Sequence, residues 1–191
     1  MKVKYNAPVA LTFAIISALV LILSQTIARG LIPGWFMAPG RGGFNAGSVR
    51  GWVTLFTHVI GHADWNHLLS NFAFILLLGP ILEESYGSAS LLVMIAITAL
   101  VTGILNLLLF SSALLGASGV VFMMILLASF TNFSRGEIPL TFILILMIYL
   151  GREIVHSFST NNISEFAHIV GGFCGSLFGF FRPARKKHAI Q

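Results

Sequence analysis

Charge is what this sequence has least of. Its 191 residues include 11 Lys or Arg and 6 Asp or Glu, so 9% are charged, against about a quarter in an ordinary soluble domain. Too few polar groups remain to cover a water-facing surface, while 57% of residues are hydrophobic and the mean hydropathy is +0.92. The bilayer is therefore the solvent for most of the chain. A single cysteine, Cys174, excludes an internal disulfide and is silent about redox compartment. A single aspartate, Asp64, excludes an intramembrane aspartyl protease, whose chemistry needs two. His-Glu-x-x-His is absent, which excludes the intramembrane metalloproteases. Short alternating segments are absent too, and with them a membrane β-barrel. The net charge of +5 does not indicate nucleic-acid binding, because the cations gather at the chain ends, where membrane proteins carry topology signals.

What is there is a series of apolar runs. Lys2 and Lys4 precede a run from Pro8 to Ala28. It is longer than the roughly 7–15 residues of a signal-peptide core, and further runs follow, so an uncleaved first helix is expected rather than a signal peptide. At roughly 20 residues per crossing, hydropathy predicts an all-α integral membrane protein, one domain over 1–191. Its six transmembrane helices are expected near 8–28, 66–84, 88–110, 117–133, 138–157 and 164–182, with a long loop over 29–65. With six spans, Lys2, Lys4, Arg135, Arg182, Arg185, Lys186 and Lys187 share one side, while Arg29, Arg41 and Arg50 are spread over the loop on the other. The denser cluster marks the cytoplasm, so both termini are inside. The second, fourth and sixth helices then all begin at the outer face. The loop holds all three tryptophans, Trp35, Trp52 and Trp65, which suits a segment lying in the outer interface.

Polar groups kept inside such spans are functional candidates by default. Three clusters stand out: His67 and Asn71 opening the second helix, Ser118 in Gly116-Ala117-Ser118-Gly119 opening the fourth, and His168 one turn into the sixth. Parity brings all three to similar depth near the outer face. A serine hydroxyl becomes a useful nucleophile when a neutral imidazole takes its proton, and Ser118 and His168 supply that pair on facing helices. His67 and Asn71, at i and i+4, share one helix face. The backbone N–H groups at the start of the fourth helix are unpaired and carry its positive dipole end. Gly116 and Gly119 leave room for a substrate backbone. Ala167, Gly171 and Gly175 form a small-residue stripe that lets the sixth helix approach a neighbour closely. A lone intramembrane serine ordinarily bonds back to its own helix; the combination is what points to catalysis.

Gly-Ala-Ser118-Gly, the downstream Ala-His168-x-x-Gly171-x-x-x-Gly175 and the upstream His67-x-x-x-Asn71 resemble the signature of the rhomboid proteases. The segment Leu55 to Asn71 resembles the stretch leading into that family's second helix, and Glu83 and Gly87 match its Glu and Gly at the cytoplasmic end. The resemblance runs in family order from about Thr54 to the end of the sixth helix. It implies a six-helix rhomboid-like bundle acting as an intramembrane serine endopeptidase, with Ser118 the nucleophile and His168 the general base. It further implies that His67, Asn71 and the Ser118 backbone N–H bind the oxyanion, and that His58, His62 and Glu83 are structural. The sequence departs from the pattern in two places. Phe122 stands where many members carry a tyrosine that stacks on the catalytic histidine, and Val53 and Thr54 stand where many carry a Trp-Arg pair.

Rival readings are weaker. His58, His62 and His67 cluster, but only Asp64 lies near enough in sequence to complete a zinc site, so neither metal nor other cofactor is expected. A proton-relaying transporter would show inverted repeats or broken helices, and neither is visible. Inactive rhomboid-like proteins, which bind membrane clients, typically lack the serine, the histidine or both, and this chain keeps both. Arg152, Glu153, His156 and Glu165 read as local pairs or solvated loop, and Cys174 as packing. The expected partners are transmembrane protein substrates and the lipid bilayer, in a bacterial plasma (inner) membrane.

Overall fold

The computed structural model describes residues 3–131, 140, 143–144, 147–148, 162–182 and 184. The regular elements among them are helices: α1 (Pro8–Thr26), α2 (Leu31–Trp35), α3 (Val49–Thr57), α4 (Trp65–Tyr86), α5 (Ser88–Leu109), α6 (Ser118–Ser129) and α7 (Asn162–Phe181). α1, α4 and α5 are long and apolar enough to cross a membrane, while α6 and the Phe166–Phe181 part of α7 are apolar but shorter. Of the expected run over 138–157, Leu140, Ile143, Leu144, Met147 and Ile148 are helical and exposed. The rest of it, with Arg152, Glu153 and His156, lies outside the described residues, as do Lys2, Arg135, Arg185, Lys186, Lys187 and the Glu165 side chain.

α6 is the axis of the bundle. Every residue from Gly119 to Leu127 is buried, as expected of a helix that is apolar all round and enclosed by protein. It packs on α4, α5 and, most extensively, α7. The surrounding helices turn large apolar side chains outward, among them Ile15 and Leu19 of α1, Leu77 of α4 and Leu92 and Val93 of α5. That surface suits lipid rather than water.

A buried carboxylate ties three helices together. Glu83, near the end of α4, accepts the Ala10 backbone N–H in the first turn of α1 at 2.9 Å and the Ser88 hydroxyl at the start of α5 at 2.6 Å. It thus fills a donor that a helix N-terminus leaves unpaired and places negative charge at the positive end of the α1 dipole. Gly87 turns the corner between α4 and α5 with φ of +87°, a conformation that side chains disfavour.

The long loop differs from a plain interfacial strap, because α2 and α3 lie within it, too short to register on a 20-residue hydropathy scale. It is also pinned to the α5–α6 connection. Ala38 and Leu114 exchange backbone hydrogen bonds at 2.9 Å each, and Arg41 N–H donates to the Phe110 carbonyl at 2.6 Å. The Arg41 guanidinium donates to the Leu109 carbonyl at 2.6 Å, a cation at the negative end of α5. The Asn106 amide bonds the Ser112 carbonyl at 3.0 Å. That connection leads directly into Ser118.

Candidate active site

The serine is delivered by a constrained turn. Gly116 has φ of +111°, and its N–H donates to the His58 carbonyl at 3.0 Å, so the loop before α4 fixes the approach to α6. A Cβ on Gly116 would stand 2.5 Å from His67 Nε2, 2.6 Å from His67 Cε1 and 3.8 Å from Asn71 Nδ2. Glycine is needed here on two counts: the backbone conformation and the space that the His67 ring uses. Ser118 is the first residue of α6, after Ala117 at the cap, and is half-buried. Its N–H is one of the four that a helix cannot pair internally.

The histidine arrives on α7, packed against α6 at backbone distance. A Cβ on Gly119 would lie 3.1 Å from the Ala167 carbonyl oxygen and 3.3 Å from the Thr102 methyl. A Cβ on Gly171 would be 2.7 Å from the Gly119 carbonyl carbon and 2.9 Å from its Cα. The chain neighbours of Ser118 and His168 therefore touch directly, and lower down Gly175 meets the Met123 backbone. One turn after the serine, the Phe122 ring stacks on the His168 imidazole, with centroids 4.2 Å apart and planes within 4°. The stack needs a flat ring and no hydroxyl.

On the opposite wall, Asp64 caps α4 and accepts the His67 N–H at 2.8 Å, which fixes the turn carrying His67. The His67 imidazole lies within electrostatic reach of His168 and is braced edge-on by His62, with ring centroids 4.9 Å apart. Asn71 is 6% exposed, and its Nδ2 has no hydrogen-bond partner among the described residues. A buried amide donor left unpaired is uncommon and calls for an explanation. It lies beside Gly116, whose Cβ position is 3.8 Å from Asn71 Nδ2, two residues before Ser118.

The remaining histidines hold backbone. His58 Nε2 donates to the Ala99 carbonyl and His62 Nδ1 to the Ile60 carbonyl, each at 3.1 Å, which fixes both tautomers. Burial pushes each pKa down to about 4, against the raising effect of those hydrogen bonds. Both imidazoles are thus neutral at pH 7. Among the described residues no three His, Cys, Asp or Glu side chains are grouped to hold a metal. Asp64, the one acidic residue near the histidines in sequence, is engaged as a helix cap.

The structure thus brings Ser118, His168, His67, Asn71, Gly116, Gly119, Phe122 and Gly171 into one region. Three contributors escape a reading of side chains in sequence. The His58 carbonyl acts through the backbone, the Asp64 cap was visible only as Asp-Trp-Asn-His67 at a helix start, and Thr102 meets Gly119 from a distant part of the chain.

The family model described as Rhomboid domain matches residues 49–185. The chain is 22% identical to the rhomboid protease GlpG of Haemophilus influenzae over 138 residues, 71% of this chain and 72% of that protein. It is 30% identical to "Putative rhomboid protease YdcA" of Bacillus subtilis over 155 residues, 76% of this chain and 74% of that protein.

Proposed function

This chain belongs to the rhomboid family, and on that premise we propose that it is an intramembrane serine endopeptidase working through a Ser118–His168 dyad. It is an integral membrane protein, and within our reading it is a single domain of six spans with both termini in the cytoplasm of a bacterial cell. Its substrates are single-span membrane proteins cut near the outer face. The observation that carries the proposal is the direct backbone contact of Gly119 with Ala167 and Gly171, beside a His168 ring held flat on Phe122.

In the first half-reaction, Ser118 Oγ attacks the substrate carbonyl carbon as its proton passes to a ring nitrogen of His168. The C–O bond forms and the carbonyl π electrons move to oxygen. Asn71 Nδ2, His67 and the Ser118 N–H donate to that oxyanion, in a site where fixed donors count for more than they do in water. His168 then gives the proton to the leaving amine, the C–N bond breaks, and an acyl-enzyme remains. A water molecule, losing its proton to His168, repeats the sequence on the ester and releases the second product. Water must therefore reach a site within the bundle. α6, at 12 residues, rises only ~18 Å against a hydrocarbon layer of ~30 Å, so it cannot reach both surfaces, and in our reading water enters at its N-terminal end.

Substrate access sets the preference. A helix hides its peptide bonds behind i→i−4 hydrogen bonds, and unwinding in lipid costs several kcal/mol per stranded polar group. Gly, Pro or polar residues in the substrate span lower that cost, and the crowded wall at Phe122 favours small residues beside the cut. The test is labelling of the purified protein with a fluorophosphonate and location of the adduct by mass spectrometry. A single adduct on Ser118, lost in His168→Ala, is the expected result. A protein that stays unlabelled under conditions that label an active rhomboid protease would assign this chain to the inactive members that bind membrane clients.

A further inference from the structure

On the face of the bundle formed by α1, α3 and α5 lies an apolar groove of about 530 Å³. It contains none of Ser118, His168, His67 or Asn71, and touches the frame of the site only at Ile60 and Ala99, whose carbonyls hold His62 and His58. It runs from Pro8 and Ser88, the first residues of α1 and α5, up to Ile16 and Ala99 near the middle of the same helices. There Phe56, Val59 and Ile60 from the end of α3 and the turn after it close it off. Of its lining side chains, the hydroxyls of Thr12 and Ser88 are already engaged, with Tyr5 Oη at 2.9 Å and the Glu83 carboxylate at 2.6 Å. The groove therefore offers an occupant apolar surface and little else.

Its dimensions select among occupants. From Ser88 to Ala99 it extends ~16 Å along α5, close to the ~15 Å depth of one leaflet of the hydrocarbon layer. The roof at Phe56, Val59 and Ile60 also stops it halfway through the bundle, whereas a transmembrane helix from a second copy or a client must continue through. A single acyl chain, entering from the leaflet at the Pro8 and Ser88 end, fits both limits. At that mouth the hydrogen bond from Tyr5 to Thr12 folds the N-terminal segment back on α1. Lys4, next in the chain, makes no ion pair among the described residues and is exposed. A cation beside the end of an acyl-chain groove matches an anionic headgroup.

We propose that this groove is a lipid-binding site that holds one acyl chain of an anionic phospholipid, with Lys4 at its headgroup. The bound chain fills the space under the loop that fixes Gly116, through α3 and the His58 turn, and so supports the frame on which the site is built.

Native mass spectrometry of the full-length protein, delipidated and then titrated with phosphatidylglycerol or phosphatidylcholine, tests this. The expected result is a single tight adduct with phosphatidylglycerol and weaker binding of phosphatidylcholine. Ala96→Phe, which fills the groove, should weaken the adduct by about tenfold or more. Val93→Phe, which adds the same ring on the exposed outer face of α5, should not. Ala89→Phe at the mouth is the second filling variant, and an unchanged gel-filtration profile shows that each is folded. Lys4→Glu should erase the preference for phosphatidylglycerol. Equal binding of the two lipids by the parent would overturn the headgroup assignment. An adduct unchanged in both filling variants, or lost equally in Val93→Phe, would overturn the site. A change of oligomeric state in the filling variants, with the adduct unchanged, would assign the groove to a second copy instead.

Discussion

Replacing Gly171 by alanine perturbs the contact on which the active-site proposal rests. The new methyl would start 2.7 Å from the Gly119 carbonyl carbon and 2.9 Å from its Cα, where carbon atoms rest at ~3.5–4.0 Å. Both neighbours are backbone, so no side chain can rotate away, and α7 must retreat from α6 by about 1 Å. His168 lies one turn before Gly171 on the same helix and moves with it, away from Ser118. A displacement of ~1 Å in a catalytic group can cost ~10²-fold in rate. Overpacking costs about 1–3 kcal/mol, offset by the ~1 kcal/mol that alanine gains over glycine within a helix. The net expectation is a stability loss of up to ~2 kcal/mol with a far larger loss in turnover. Gly172→Ala is the matched control, since its methyl would meet only the Leu126 side chain at 3.7 Å, an ordinary contact. It should keep full activity and a Tm equal to the parent's or slightly higher. The assay is kcat/KM on a single-span substrate in proteoliposomes, with thermal unfolding followed in detergent. A Gly171→Ala protein as active as Gly172→Ala would refute the reasoning.

Asn71→Ala should lower kcat by about tenfold or more with little change in KM, because an oxyanion donor acts in the transition state; an effect confined to KM would make Asn71 a substrate-positioning group. Phe122→Leu removes the flat partner of His168, and Phe122→Tyr keeps it. The first should cut kcat several-fold and the second restore it, as read by initial rates on the same substrate. His58 and His62, with pKa values of about 4 in the fold against ~6.5 unfolded, make the unfolded chain bind more protons between those values. Stability is therefore full above pH ~6.5 and falls as the pH drops toward 4, by at most ~3 kcal/mol per histidine. Tm measured from pH 7 to 4.5 should decline. His58→Asn, which keeps a donor for the Ala99 carbonyl, should give a shallower slope.

Much of this arrangement was legible in the sequence, and what was hidden has physical reasons. α1, α4 and α5 announce themselves as apolar runs of spanning length, so hydropathy alone locates them. α6 was expected over 117–133 and is helical over Ser118–Ser129, because a run apolar on every side gives no periodicity to mark where its helix ends. α2 and α3 were invisible, since a glycine- and proline-rich stretch offers no run long enough to weigh. The stripe of Ala167, Gly171 and Gly175 correctly signalled a close helix partner, but not that Gly119 would be opposite it. Glu83 shows the limit most plainly. Its carboxylate caps a helix that begins 75 residues earlier in the chain, at Pro8, and only the folded chain places the two together. The candidate site residues could be named from sequence because the proposed chemistry demands particular side chains at particular depths, whereas backbone groups beside them, such as the His58 carbonyl, carry no residue-type signal.

The central claim is that Ser118, activated by His168, cuts peptide bonds within the membrane. The most direct measurement reconstitutes the wild-type, Ser118→Ala and His168→Ala proteins with one purified single-span substrate and follows product formation on gels and by mass spectrometry. Wild-type protein should give two fragments from a cut near one end of the span, and neither variant should give them above background, although both keep the wild-type Tm within a few degrees. Cleavage by Ser118→Ala at the wild-type rate would contradict the account.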